Sequence, residues 1–208
     1  DKVGAYLCYD ASHVLGLIAG GQFQKPLKEG ADIMLGSTHK SFFGPQGGIM
    51  LTNDEDIHKR ILENSTWRSI DNAHWNRVAA LGVALEEMKV HGKDYAAQIV
   101  KNSKALAKAL ASLGVPLRFA HRGYTESHQV LMDNKRSATL YGAPFPELAA
   151  RLESNDIIID SVGRMGTSEV TRLGMKEKDM ATIGSLIVDV MKHDKKVGSK
   201  LRALRKMG

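Results

Sequence analysis

Three short apolar runs within the first 52 residues constrain this chain more than any other feature. Val3-Gly4-Ala5-Tyr6-Leu7-Cys8-Tyr9 ends at Asp10, and Ala31-Asp32-Ile33-Met34-Leu35 ends at Ser37-Thr38-His39-Lys40. The third, Gly48-Ile49-Met50-Leu51-Thr52, follows the turn-rich Gly44-Pro45-Gln46-Gly47-Gly48. Runs of this length bounded by turn residues predict strands. Ser12 to Ala19 has helical spacing until Gly20-Gly21 stops it, so the first two strands are expected to be joined by a short helix. Open α/β sheets place their ligand sites at strand ends, which singles out Asp10, His13 and the pair His39-Lys40.

Further along, Asn53 or Asp54 can cap a helix running to about Asn64. A longer helix is expected from about Asn72 to Val90, with Val78, Leu81, Leu85 and Met88 on one face. After Gly92 the pattern predicts a second amphipathic helix to Leu113, stopped by Gly114. Strands are expected near Pro116–Phe119, Gln129–Met132, Ile157–Asp160 and Glu169–Arg172, and helices over Pro146–Ser154 and Glu177–His193. The expected organisation is α/β: the end of a mainly parallel sheet domain over residues 1–91, then a small α+β domain over 92–208.

At 208 residues, 43% of them hydrophobic and 25% charged, the chain has the composition of a folded globular protein, and no apolar run approaches the ~20 residues of a membrane span. The net charge of +6 raises nucleic acid as a partner, but the basic residues are spread along helical patterns, with the densest cluster from Lys195 to Lys206. Cations there suit a helix C-terminus or face water, so neither nucleic acid nor membrane is expected as a partner. The single cysteine, Cys8, is expected to be a buried, inert thiol, which suits a cytoplasmic protein. The opening residues have no signal-peptide pattern, and the chain is expected to be cut from something longer.

The order Asp10-Ala11-Ser12-His13, thirty positions from Asp10 to Lys40 within Ser37-Thr38-His39-Lys40, then Gly44-Pro45-Gln46-Gly47-Gly48, strongly resembles the cofactor region of serine hydroxymethyltransferases. These are pyridoxal-phosphate enzymes of the aspartate-aminotransferase fold. The resemblance implies that Lys40 carries the cofactor as an imine and that Asp10 keeps the pyridine nitrogen protonated, so that the ring can work as an electron sink. A lysine amine is a poor nucleophile at neutral pH until desolvation or nearby cations, such as a neighbouring His39, ease its deprotonation. His13 is implied to lie beside the ring's phenolic oxygen or the substrate. Ser37, Thr38 and His39 are implied to line the cofactor or substrate pocket, His39 and Thr38 ahead of Ser37. The glycines Gly44, Gly47 and Gly48 permit close backbone approach.

The stretch Arg164-Met165-Gly166-Thr167-Ser168-Glu169-Val170-Thr171-Arg172-Leu173-Gly174 is similar to the family segment bearing an arginine for the substrate α-carboxylate. By that match the arginine is Arg172. A planar guanidinium can hold a carboxylate with two parallel hydrogen bonds. The β-branched Val170 and Thr171 predict that Arg172 ends a short strand, whereas Arg164, between Gly163 and Gly166, is expected in a flexible turn.

The resemblance spans essentially the whole chain and is strongest over residues 5–52 and 163–174. The family's phosphate-binding turn, ring-stacking residue and catalytic glutamate lie upstream of the matching aspartate strand and are not among these 208 residues. Gln46 stands where many members carry arginine. Ser69-Ile70-Asp71-Asn72-Ala73-His74 replaces a glycine pair that often reaches a neighbouring subunit's phosphate, with His74 a candidate for a dimer interface.

The implied activity is interconversion of serine and glycine with one-carbon transfer to a reduced pterin, tetrahydrofolate or tetrahydromethanopterin, in a homodimer. Another pyridoxal-phosphate aldolase or an aminotransferase would share Asp10 and Lys40, and a non-catalytic C-terminal dimerisation module is a third alternative. The eight histidines fall into no metal-ligand spacing, and neither a Gly-x-Ser-x-Gly elbow nor a GxGxxG fingerprint is present. No metal is expected.

Overall fold

The computed structural model describes residues 3–65, 68–193 and 196–205. Two compact units divide the chain, Asp1–Ala97 and Gln98–Gly208.

In the first unit, β1 (Cys8–Asp10) leads through α1 (Leu15–Ala19) and a single turn at Pro26–Lys28 to β2 (Ile33–Ser37), and β3 (Gly48–Leu51) follows. The sheet order is β1-β2-β3. β1 runs parallel to β2 with Cys8 opposite Ile33 and Asp10 opposite Leu35, while β3 returns antiparallel with Gly48 opposite Ser37. Because side chains alternate across a strand, Tyr9, Met34, Gly36 and Ile49 share one face. On that side Leu15, Phe42, Ala84 and Met88 complete a buried cluster with Ala11 and Met34.

The first strand is shorter than its apolar run predicts. Gly4 has a positive φ of 64°, and only Cys8–Asp10 is regular strand. Cys8 is exposed rather than buried, because it shares the opposite, open face of edge strand β1 with Asp10. Asp54 caps α2 (Glu55–Ser65) as expected, accepting a 2.8 Å hydrogen bond from the Ile57 amide. Thr66 and Trp67 lie outside the described residues.

The helices expected on either side of Gly92 are one helix, α3 (Trp75–Ser112). An interior glycine costs about 1 kcal/mol relative to alanine, too little to end a helix whose flanks pack well. The close approach at this point depends on Gly20, at the end of α1, where a Cβ would lie 2.3 Å from the Gly92 carbonyl oxygen and 2.4 Å from Ala96 Cβ; a Cβ on Gly92 itself would meet the Met88 side chain of its own helix, its sulfur at 2.4 Å.

In the second unit, β4 (Gln129–Leu131), α4 (Asn134–Tyr141), α5 (Phe145–Glu153), β5 (Arg164–Gly166), α6 (Ser168–Arg172), α7 (Glu177–His193) and α8 (Gly198–Arg205) follow in order. β4 and β5 pair antiparallel, and the core gathers Leu110, Val130, Met132, Leu148, Met165 and Val190. Helices α5 and α7 fall where their periodicity predicts. α8 occupies much of the basic segment, whose Lys195 and Lys206 lie outside the described residues.

Three expected strands differ. Pro116–Phe119 contributes only a bridge from Leu117 to Met132, since Phe119 turns into the left-handed region at φ 59°. Ile157–Asp160 is irregular and follows Asp156 at φ 63°. Glu169–Arg172 is helical: Thr171 Oγ1 donates 2.6 Å to the Thr167 carbonyl one turn back, so tertiary context overrides the strand preference of Val170 and Thr171. Arg172 therefore ends a helix, and Arg164, expected in a turn, begins β5.

Among the described residues, no helix is long and apolar enough to cross a membrane. Among the same residues, no group of three or more His, Cys, Asp or Glu could hold a metal ion.

Candidate active site

Asp10 stands at the C-terminal end of β1, where the ladder to β2 continues through the Ala11 amide donating 2.7 Å to the Leu35 carbonyl. Hydrogen bonds from the Ser12 side chain and backbone, the latter 2.8 Å, hold its carboxyl below the usual aspartate range. The positive charges of Lys40 and His13 pull it in the same direction. Asp10, His13, His39 and Lys40 are all exposed. The parallel pairing of β1 and β2 thus places Asp10 within electrostatic range of Lys40, and the turn after β1 places it within range of His13, with Asp10 anionic at neutral pH.

Lys40 lies on a loop, residues 38–47, that joins β2 to β3. The loop closes on itself. Thr38 is buried: its amide donates 3.0 Å to the Gly47 carbonyl, its carbonyl accepts from the Gly44 amide at 2.7 Å, and its hydroxyl donates 2.6 Å to the Pro45 carbonyl. His39 Nδ1 accepts a longer 3.4 Å bond from the Gly47 amide. The expectation for the glycines holds at Gly44, where a Cβ would stand 2.7 Å from the Thr38 carbonyl oxygen. Ser37 is half-buried at the end of β2.

Sequence reasoning missed the residues that hold this loop from behind. Ser41, next to Lys40, is 1% exposed. Its Oγ accepts a 3.1 Å bond from the Gly16 amide, and its carbonyl accepts from the Tyr95 hydroxyl at 3.1 Å. A Cβ on Gly16 would meet the Ser41 carbonyl oxygen at 2.2 Å, so the approach of α1 requires glycine there. Phe43 packs edge-on against Tyr95, ring centres 4.9 Å apart. The one available signal was Gly16 itself, a glycine inside the apolar helix Leu15–Ala19.

In the second unit, exposed Arg172 is the last residue of α6. Arg164 is engaged elsewhere: its Nε donates to Asp160 Oδ2, while the Arg164 and Val162 amides donate 2.8 and 3.0 Å to Asp160 Oδ1. Burial pushes the Asp160 carboxyl up, but these hydrogen bonds and the guanidinium charge outweigh it and leave the group below its ordinary value. A carboxyl lowered in the folded state contributes stability above its unfolded pKa and loses it as pH falls through the folded one. Asp160→Asn should therefore lower the melting temperature at neutral pH, and the gap from the parent should close below about pH 4. Parallel thermal melts check this, and a gap independent of pH would rule the carboxylate out as its source.

Residues 1–187 match the family model described as serine hydroxymethyltransferase. The serine hydroxymethyltransferase of Methanobrevibacter smithii is 44% identical over 97% of this chain and 50% of that protein. That of Methanopyrus kandleri is 46% identical over 92% of this chain and 47% of that protein. The chain thus spans about half the length of these curated relatives. The crystal structure of L-threonine transaldolase from Pseudomonas fluorescens, in its internal aldimine state, superposes with a TM-score of 0.82 at 32% identity, covering 97% of this chain and 48% of that one. With a family match over most of its length, the chain belongs to the serine hydroxymethyltransferase family.

Proposed function

We propose that this chain supplies the cofactor-anchoring lysine and the carboxylate-binding arginine of a pyridoxal-phosphate-dependent enzyme that interconverts serine and glycine, passing the one-carbon unit to a reduced pterin. The observation that carries this is Asp10 at the end of a strand parallel to the one that leads to Lys40, held as an anion within electrostatic range of both Lys40 and His13. An anionic carboxylate, a primary amine and a histidine form a donor set that suits the cofactor. When bound, pyridoxal phosphate supplies a sink for the electron pair left on the substrate α-carbon.

Asp10 keeps a proton on the ring nitrogen. Lys40 Nζ would hold the cofactor covalently. His13 sits beside the phenolic oxygen or the substrate. Thr38 and His39 shape the loop that presents Lys40, and their bonds to Pro45 and Gly47 support that role. In this proposal residues 1–91 are the C-terminal part of the cofactor-binding domain and 92–208 the small domain of a cytoplasmic homodimer.

Arg172 fixes the substrate α-carboxylate, and Arg164, already bound to Asp160, does not. A bidentate charge-assisted contact is worth roughly 1.5–3 kcal/mol, or about one to two decades in binding. Arg172→Lys keeps the charge and loses the planar fork, so serine affinity should fall by about that factor, with turnover falling too. The visible absorption of the bound cofactor should survive. Normal serine binding in Arg172→Lys, with loss in Arg164→Lys, would reverse the assignment.

The likeness to a transaldolase favours a second reading, a pyridoxal-phosphate aldolase acting on β-hydroxy amino acids. The protein expressed from its complete coding sequence separates the two. Serine turnover that depends on tetrahydrofolate or tetrahydromethanopterin supports the first. Pterin-independent cleavage of allo-threonine as the dominant activity supports the second, and amino transfer to 2-oxo acids overturns both.

A further inference from the structure

Helix α6, which carries Arg172, has five residues, too few to be stable alone. No side chain caps it: the hydroxyl of Thr167, at its N-terminal boundary, instead reaches the carbonyls of Ile99 at 3.2 Å and His128 at 3.3 Å. Its C-terminal end is closed by backbone bonds from the Leu173, Gly174 and Met175 amides, and the side chain that ties it to α3 is that of Asn102, a fully buried amide. Asn102 Nδ2 donates 2.9 Å to Thr171 Oγ1 and 2.9 Å to the Met175 carbonyl. These two contacts bracket Arg172, one residue before it and three after.

The hydrogen-bond chemistry permits one orientation of this network. The Met175 carbonyl can only accept, and Thr171 Oγ1 spends its proton on the Thr167 carbonyl, so Asn102 must present its NH2 to both. Its Oδ1 accepts from Gln98 Nε2 at 2.9 Å, and that nitrogen also donates 2.8 Å to Glu177 Oε2, at the start of α7. The amide is thereby oriented from both sides.

We propose that Asn102 is a positioning residue for Arg172, setting the place of α6 so that the guanidinium meets the substrate α-carboxylate. This rests on the carboxylate reading of Arg172. Asn102 touches no substrate; it acts through the Thr171 hydroxyl and the Met175 carbonyl. Removing its NH2 orphans a buried carbonyl and frees the C-terminal end of α6 to shift, which degrades a two-bond contact far more than a single point charge would suffer.

The test uses the cofactor-loaded protein from its complete coding sequence and measures equilibrium binding from the cofactor's absorption. Two probes are compared: serine, and 2-aminoethanol, which has the same amine and hydroxyl but no carboxylate. Asn102→Leu should weaken serine about tenfold or more and leave 2-aminoethanol unchanged. In an Arg172→Lys background the same substitution should cost serine little more, because coupled residues are not additive. Should Asn102→Leu fail to fold, Thr171→Val removes the bridging hydroxyl and should give the same selective loss, which Thr171→Ser restores. Equal losses for both probes, additivity with Arg172→Lys, or a Thr171→Ser as impaired as Thr171→Val would overturn the proposal. If Arg172→Lys weakens serine and Asn102→Leu does not, this proposal alone falls. If Arg172→Lys binds serine normally, the carboxylate reading falls and takes this one with it.

Discussion

Asp10→Asn should lower serine turnover by several orders of magnitude while leaving the fold almost intact. The two side chains are nearly isosteric, and asparagine can still accept the Ser12 amide bond at 2.8 Å, so the turn after β1 survives. What is lost is the charge. Asp10 is exposed, and its carboxyl is held low by Ser12 with help from Lys40 and His13, so it is an anion throughout the neutral range. In the proposed role an anion there would keep a proton on the ring nitrogen, which the cofactor needs to act as an electron sink, and a neutral amide would not. Stopped-flow turnover alongside circular dichroism checks both halves. Parental turnover in a folded Asp10→Asn variant would place the partner of the nitrogen elsewhere.

The second large effect concerns Lys40. Borohydride treatment of the cofactor-loaded protein should make the linkage to Lys40 Nζ permanent, so that the cofactor is recovered on the peptide containing Lys40. Lys40→Ala should yield no labelled peptide and should lose turnover by orders of magnitude, because it removes the only group proposed to hold the cofactor covalently. Lys40→Ala should also fold, since the side chain is exposed and the loop is held by Thr38, Ser41 and their partners rather than by the lysine. Label on a different lysine would defeat the assignment.

Much of this arrangement is legible in the sequence, for a definite reason. Asp10 and the run ending at Lys40 are readable because a polar residue directly after a short apolar run marks a strand end, and parallel strands align such ends. The same logic fails at Glu169–Arg172, where local preference and global packing disagree. Val170 and Thr171 favour strand in isolation, but the Thr171 hydroxyl finds both the Thr167 carbonyl and Asn102, a partner 69 positions away that no local window contains. Gly92 misleads in a similar way. Its signature is that of a helix stop, yet the helix runs through it, and the glycine that lets the end of α1 come close to α3 is Gly20. Arg172 remains the candidate for the carboxylate through its place in the segment Arg164 to Gly174 that resembles the family, not through the strand its neighbours suggest.

The contact between Gly16 and the Ser41 carbonyl has a consequence for how this protein can evolve. Any mutation at Gly16 adds at least a Cβ, and the nearest atoms it would strike are main chain, which cannot be trimmed by a compensating change of side chain. A lineage that altered Gly16 would have to move the backbone beside Lys40 itself. Gln46, exposed on the same loop, carries no such constraint. Drift around the lysine should therefore be lopsided, free along the outer rim of the loop and arrested along its inner edge, where a glycine with no chemistry of its own is as hard to replace as the lysine it supports.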